Sequence, residues 1–283
     1  MPELPEVQTV IDYLKPYLIN HKIEEVKVYY APISYHKDLS LSLKNQTIND
    51  IKRRGKYICI ECENICCIVH LRMEGKFFIQ EIDDVLNKHT HASFYFKDFR
   101  LDFNDTRKFG RIDLTDDLNH YFEDHLGLEP FDKMCTGEYL KKQAMNRRIP
   151  LKTFILDQSI IAGIGNIYAD ESLFDAKLSP FKKASSVTLN EYDRLIISIR
   201  KILKLALEEG GSTIKSFSVN HEVNGLFQQR LKVYSKANTP CVECGNILHK
   251  GRVNGRSCVY CTNCQKVSQN AHRHYRIDGI RKK

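Results

Sequence analysis

A chain of 283 residues with 42% hydrophobic and 28% charged residues is long enough for two domains with a core each and has the balance of an ordinary folded protein. No run is long and apolar enough to cross a bilayer, and the opening Met1–Val7 carries acids where a leader would carry basic residues, so a cytosolic protein is expected. The net charge of +8 is uneven: from Arg230 onward 12 Lys or Arg face only Glu243 and Asp278, leaving −2 on the first 229 residues, a distribution that suits a polyanionic partner as well as it suits a solvated basic face.

Along the chain, Val7, Val10, Ile11, Leu14 and Leu18 repeat at three- and four-residue steps, which predicts a helix over 2–20 with Pro2 and Pro5 in its first turn. Pro16 is expected to kink or end it. From about 22 to 115 the texture changes to short β-branched and aromatic runs, among them 56–62, 65–71, 92–97 and 100–104. That is the pattern of an antiparallel β-sandwich. Cys59, Cys62, Cys66 and Cys67 fall in these runs and are expected as small buried hydrophobes.

Helical periods return after about 116 and are clearest over 188–209, where Tyr192, Leu195, Ile196, Ile199, Ile202, Leu203 and Ala206 form one apolar stripe closed by Gly210-Gly211. The fold class is therefore α+β, with the domain boundary between 116 and 137. Before that long helix, Gly163-Ile-Gly165-Asn166 precedes a further helical segment, an arrangement that offers backbone N–H groups to an anion. By itself it is a common capped loop.

Ten cysteines in a chain without a leader point to thiols or metal and not to a disulfide scaffold. Cys241-Val-Glu-Cys244 and Cys261-Thr-Asn-Cys264, with 16 residues between them, have the spacing of two knuckles around one tetrahedral Zn²⁺. Four thiolates leave no open position, so the zinc is expected to be structural. Gly245, Gly251 and Gly255 between them suit a hairpin carrying Lys250, Arg252 and Arg256 toward phosphates. Cys258 is a fifth thiol with the wrong spacing for a knuckle.

Several rarer motifs occur in one order: Pro2-Glu-Leu-Pro-Glu-Val7, Arg54-Gly-Lys-Tyr57, His70-Leu-Arg-Met-Glu-Gly-Lys76, Asn104-Asp-Thr-Arg-Lys-Phe-Gly110, Gly163–Glu171 and Gly225-Leu-Phe-Gln-Gln229. With the four cysteines they make the chain, from residue 2 to about 266, resemble the formamidopyrimidine-DNA glycosylase family, which includes endonuclease VIII. The resemblance implies a β-sandwich domain with a leading helix (1–118), a helix–two-turn–helix domain (119–230), a four-cysteine zinc hairpin (231–266) and a basic tail (267–283). It implies a monomer acting on damaged double-stranded DNA in the bacterial cytosol, with one structural zinc and no small-molecule cofactor.

The same resemblance implies site roles. Pro2, freed by removal of Met1, would be the amine nucleophile, with Glu3 moving protons at the sugar; Lys56 and Arg256 would bind phosphates and assist elimination. His70, His89, Arg147 and Asn166 would be further phosphate contacts. Met73, Arg107 and Phe109 would fill the hole left by an extruded base, and 214–225 would be the loop over the lesion. Away from the family, Pro2 and Glu3 would be an ordinary helix start, Lys56 and Arg256 surface charges, and Met73 and Phe109 core residues. Thr106 stands where the family has Pro. Leu4 and the 73/109 wedges favour oxidised purines; the alternatives are an oxidised-pyrimidine enzyme of the endonuclease VIII type, a zinc-ribbon DNA-binding protein without catalysis, and a metal-dependent nuclease, for which no carboxylate cluster is visible. The tail, with His272-Arg-His-Tyr-Arg276 and Arg281-Lys-Lys283, is expected to add nonspecific DNA affinity.

Overall fold

A computed structural model describes residues 1–36, 38–212 and 225–266; the lesion-loop segment 214–224 and the tail 267–283 lie outside the described residues. The chain divides into two compact units, Met1–Asp124 with Ala206–Gln228, and His125–Leu205 with Gln229–Lys283. No helix among the described residues is long and apolar enough to cross a membrane.

The first unit begins with α1 (Leu4–Leu18), whose stripe Val7, Val10, Ile11, Leu14 and Leu18 is buried as its period requires. Pro16 sits inside the last turn, and the helix ends two residues later at Leu18, since one missing N–H there removes only one bond. Then follow β1 (Glu25–Val28), α2 (Leu39–Leu43), β2 (Ile48–Arg54), β3 (Tyr57–Cys62), β4 (Cys66–His70), β5 (Lys76–Gln80), β6 (Thr90–Tyr95), β7 (Arg100–Asn104), β8 (Arg111–Thr115) and α3 (Leu118–Glu123). Two antiparallel sheets form, in the orders β1-β6-β7-β5 and β2-β3-β4-β8. Alternate residues such as Ile58, Ile60 and Val69 from one sheet and Phe94, Leu101 and Phe103 from the other share a core with α1. The strands differ from the sequence expectation only at their ends, β6 starting at Thr90 and Lys56 falling in a turn. All four strand cysteines are buried.

The outer face of β7 carries an Arg100–Asp102 pair, both about 2% exposed, joined by Arg100 Nε to Oδ1 at 2.8 Å and Nη2 to Oδ2 at 3.0 Å, with Ser93 Oγ donating to the same Oδ1 at 2.5 Å. Arg100 also donates to the carbonyls of Ile82 and Asp84. The loop before His89 is thereby tied to the sheet.

The second unit contains α4 (Gly137–Ala144), α5 (Leu151–Ile155), α6 (Asn166–Asp175), most of α7 (Leu189–Glu208), β9 (His249–Val253) and β10 (Arg256–Tyr260). β9 and β10 pair antiparallel across Asn254-Gly255. Both turn residues have positive φ, 47° and 76°, the backbone that a two-residue hairpin following the strand twist demands. Helix α6 carries two buried carboxylates, one holding the segment 232–234 and the other the hairpin itself. Glu171 accepts the N–H groups of Lys232, Val233 and Tyr234 at 2.8–2.9 Å. Asp170 accepts from Val259 N and forms an ion pair with the buried Lys152 at 2.7 Å, while Lys152 Nζ donates to Ser257 O at 2.6 Å.

Burial raises the Asp170 pKa to about 6 despite the adjacent ammonium. The ordinary value is 3.8, so over the interval up to 6 only the unfolded chain ionises and stability falls as pH rises. Lys152→Met strands that carboxylate without a cation and is expected to lower stability by about 3–5 kcal/mol. Urea titration at pH 7.5 checks it, and a loss no larger than that of a surface Lys→Met change would show that the pair is not structural. Asp170→Asn in the same chain is expected to recover part of the loss.

Candidate functional site

In the first unit the N-terminal turn is closed by a carboxylate. Glu6, fully buried in α1, accepts from Glu3 N at 2.9 Å, Ser212 N at 2.8 Å and Ser212 Oγ at 3.0 Å. This fixes the backbone of Glu3, which is 3% exposed, and ties 211–212 to the chain start. Burial lowers the pKa of the terminal amine, here on Met1; Lys56 adds to the lowering, while Glu3, Glu6 and Glu74 oppose it. These groups thus share one electrostatic neighbourhood.

Lys56 occupies the two-residue turn Gly55-Lys56 between β2 and β3, where a solvated side chain is the ordinary outcome. It is only 5% exposed. A lysine buried at a hairpin tip and acting on the terminal amine is a different object from a surface charge.

His70 ends β4, with its ring edge-on to Tyr57 at 4.5 Å. Its Nδ1 accepts from Arg72 N at 2.9 Å, which leaves the ring proton on Nε2 as a donor. Burial, then the cations Arg72 and Lys56, push its pKa from 6.5 down to about 3. The ring stays neutral at pH 7, and acidification from 6.5 toward 3 costs stability because only the unfolded chain takes the proton. Nitrogen NMR is expected to find His70 as the Nε2–H tautomer down to pH 5; a titration midpoint near 6.5 would overturn that assignment.

The turn after His70 carries Met73, half-buried, and Glu74. Thr106 Oγ1 donates to Glu74 Oε2, joining this turn to the one after β7. There Arg107 lies over the Phe109 ring at 4.8 Å, and Phe109 is 48% exposed. Neither Met73 nor Phe109 is a core residue. His89 lines a cavity of about 410 Å³ with Glu74, Lys76, Asn87 and Thr106. Eight of the sequence-selected residues therefore belong to the first unit: Pro2, Glu3, Lys56, His70, Met73, His89, Arg107 and Phe109.

Arg147, Asn166, Arg256 and the four cysteines belong to the second. Asn166 is the first residue of α6, with Gly165 at the cap. The loop before it is shaped by Gln158, whose Oε1 accepts from Gly163 N at 2.9 Å and whose Nε2 donates to Ile164 O at 2.8 Å. Asn166 Nδ2 donates to Ser257 Oγ at 3.4 Å, which puts the helix start beside Arg256, exposed at the head of β10. Asn166 Oδ1 is buried without a hydrogen-bond partner among the described residues. Arg147, half-exposed, is paired with Asp157 at 2.9 Å.

The Sγ atoms of Cys241, Cys244, Cys261 and Cys264 all lie within 4.8 Å of one another, with Cys241–Cys264 at 3.9 Å and Cys244–Cys261 at 3.4 Å. A tetrahedral ion with metal–sulfur bonds of ~2.3 Å needs sulfurs just under ~4 Å apart, so the cluster fits one metal ion. Cys258 is outside it: fully buried, it gives its S–H to Asp170, and burial pushes the thiol well above its ordinary range.

Sequence reasoning gave no role to Glu6, Asp105, Gln158 or Glu171. Glu6 and Glu171 find their donors on distant segments, up to 206 residues away for Glu6, whereas Gln158 and Asp105 bind backbone groups within six residues, and only Asp105, placed just before a turn, carried a local signal.

Residues 1–112 match the model of the formamidopyrimidine-DNA glycosylase N-terminal domain, and residues 126–218 match that of the formamidopyrimidine-DNA glycosylase H2TH domain. A curated formamidopyrimidine-DNA glycosylase of Bacillus cereus is 40% identical over 273 residues, covering 94% of this chain and 99% of that one. The Mycoplasma genitalium protein of the same name is 40% identical over 275 residues, covering 95% and 97%. A solved complex of Lactococcus lactis Fpg with abasic-site DNA superposes with a TM-score of 0.88 at 33% identity, covering 94% of this chain and 100% of that one. Another Lactococcus lactis complex, a proline-substituted mutant with DNA containing Fapy-dG, gives 0.88 at 34% with the same coverage. With both domain models matched in order and relatives 40% identical along nearly the whole length, the chain belongs to the formamidopyrimidine-DNA glycosylase family.

Proposed function

We propose that this chain removes oxidised purines from double-stranded DNA and cuts the strand at the abasic site, with the Pro2 nitrogen as nucleophile. The observation that carries this reading is the chain's first amine, placed on Met1 beside Glu3 and the buried Lys56, with its pKa lowered by burial and by Lys56. A depressed pKa leaves more of an amine neutral near pH 7, which is the form that attacks.

After removal of Met1, the Pro2 nitrogen attacks C1′ and the glycosidic bond breaks with its electron pair on the departing base, which takes up a proton. Opening of the sugar ring, with Glu3 delivering the proton to the ring oxygen, leaves an iminium between the nitrogen and C1′. That cation acidifies the C2′ hydrogen, whose loss expels the 3′ phosphate; a second elimination expels the 5′ phosphate. Lys56 and the neutral Nε2–H of His70 suit phosphate oxygens in the first unit, as do Arg256, Asn166 and Arg147 in the second, and His89 adds a contact from the loop before β6. Met73, Arg107 and Phe109 fill the space of the extruded nucleotide. The four cysteines hold one structural Zn²⁺, which supplies no chemistry to the sugar.

Borohydride trapping on a duplex with 8-oxoguanine opposite cytosine tests the reading. A covalent adduct at Pro2, absent with undamaged DNA, is the expected result; no adduct and no cleavage by zinc-loaded protein lacking Met1 would leave only DNA binding. A second reading, oxidised-pyrimidine repair, takes support from a Lactococcus lactis Fpg complex with DNA containing an oxidised pyrimidine, at TM-score 0.87 and 33% identity. Competition between the two duplexes is expected to favour the purine.

A further inference from the structure

The turn 107–110 is folded onto one residue. Asp105, 1% exposed at the end of β7, accepts all four of the turn's amides. Arg107 N donates to Oδ1 at 2.9 Å, Phe109 N and Gly110 N to Oδ2 at 2.9 and 2.7 Å, and Lys108 N to the Asp105 carbonyl at 3.3 Å. That carbonyl also accepts from His91 Nε2 at 2.6 Å, and Asp105 N donates to His89 O at 3.0 Å. Only glycine fits at 110, because a Cβ there would stand 2.6 Å from Phe103 and 3.2 Å from Asp105 Oδ2. The result is a closed knot beneath the surface with Arg107 and Phe109 stacked on its outside. Thr106 Oγ1, donating to Glu74, extends the tie to the turn that bears Met73.

We propose that Asp105 is the positioning residue of the wedge, holding Arg107 and Phe109 in their inserted arrangement before DNA arrives. This rests on the proposed glycosylase reading. A side chain that must enter a base stack from an unordered turn bears its ordering cost at the moment of insertion, whereas a turn already fixed by four amide bonds does not. The carboxylate is required as such. In Asp105→Asn one oxygen becomes an NH₂ group, which either abandons Arg107 N or points at the N–H groups of Phe109 and Gly110.

The test uses zinc-loaded, Met1-processed protein in single turnover. Asp105→Asn is expected to slow excision of 8-oxoguanine from a duplex about 10- to 100-fold, while cleavage of a preformed abasic site in single-stranded DNA, where no stacked partner leaves a hole, stays within about twofold. In an Arg107→Ala/Phe109→Ala background the same change is expected to cost nothing further on the duplex, because Asp105 acts through those two side chains. Equal losses on both DNAs, or additive loss in that background, would overturn the proposal. If the wild type fails on the duplex, it is the glycosylase reading that falls. Amide exchange in the DNA-free wild type decides the matter even if Asp105→Asn does not fold. Arg107, Phe109 and Gly110 are expected to exchange about 100-fold or more slowly than unstructured amides, and free exchange would sink the pre-formed wedge.

Discussion

Protein that keeps an uncleaved extension on Met1 is expected to excise no base and form no borohydride adduct, with a rate at least about 10³-fold below that of the processed chain, the scale of losing a nucleophile. The cause is chemical and not a matter of folding. With the extension in place the nitrogens of both Met1 and Pro2 are amides, their lone pairs delocalised into peptide bonds, and no terminal amine stands beside Glu3 and Lys56. The Glu6 bonds to Glu3 N and Ser212 do not involve the Pro2 nitrogen, so the extended protein is expected to melt at the same temperature as the processed one. Binding to a duplex with a reduced abasic analogue is expected to fall far less than catalysis. A burst of cleavage at full rate from extended protein would remove Pro2 from the mechanism and return attention to Lys56.

Stripping the metal, or introducing Cys261→Ser, is expected to unfold residues 231–266 and to weaken DNA binding by about 100-fold or more, while the first unit keeps its own unfolding transition. The apolar cluster around the cysteines consists of Phe174, Val233, Leu248 and Val259 with Cys241 and Cys261, too little to hold a two-stranded hairpin alone. Structural zinc contributes on the order of 10–16 kcal/mol to folding in zinc-finger peptides. Losing β9 and β10 also removes the Ser257 and Val259 partners of Asn166, Lys152 and Asp170, and with them the exposed cations Lys250, Arg252 and Arg256 that release counterions from phosphates. One zinc per chain by atomic absorption, displaced as the thiols protonate at low pH, is the companion result. Full DNA affinity in chelated protein would place the nucleic-acid contacts elsewhere.

The features legible in the sequence were those set by local spacing. Two Cys-x-x-Cys pairs define a ligand set because a knuckle is short, and Cys258 could be set aside on spacing alone; the sulfurs gather accordingly. The period of α1 and the stripe of α7 reappear as buried faces, since a helix fixes which side chains share a side before anything packs against it. The ordered motifs marked the family for the same reason: each is a turn or helix start whose backbone demands are local.

Burial and pairing across long separations arose only in three dimensions. Nothing near Gly55-Lys56 announces a lysine 5% exposed, and the low pKa of His70 comes first from the packing around it and then from Arg72 and Lys56. Glu6 meets Ser212 and Glu171 meets Lys232–Tyr234 because a buried carboxylate takes whatever donors the folded chain brings within reach, and those donors lie tens to hundreds of residues away. Residues 206–212 and 225–228 belong to the first unit, a choice made by contacts and invisible to periodicity. The ordered motifs marked the candidate residues for the chemistry through the family resemblance, and those motifs can be read along the chain. Which of those residues are neutral, buried or held in place was left to packing, since desolvation and partnership exist only once distant segments have met.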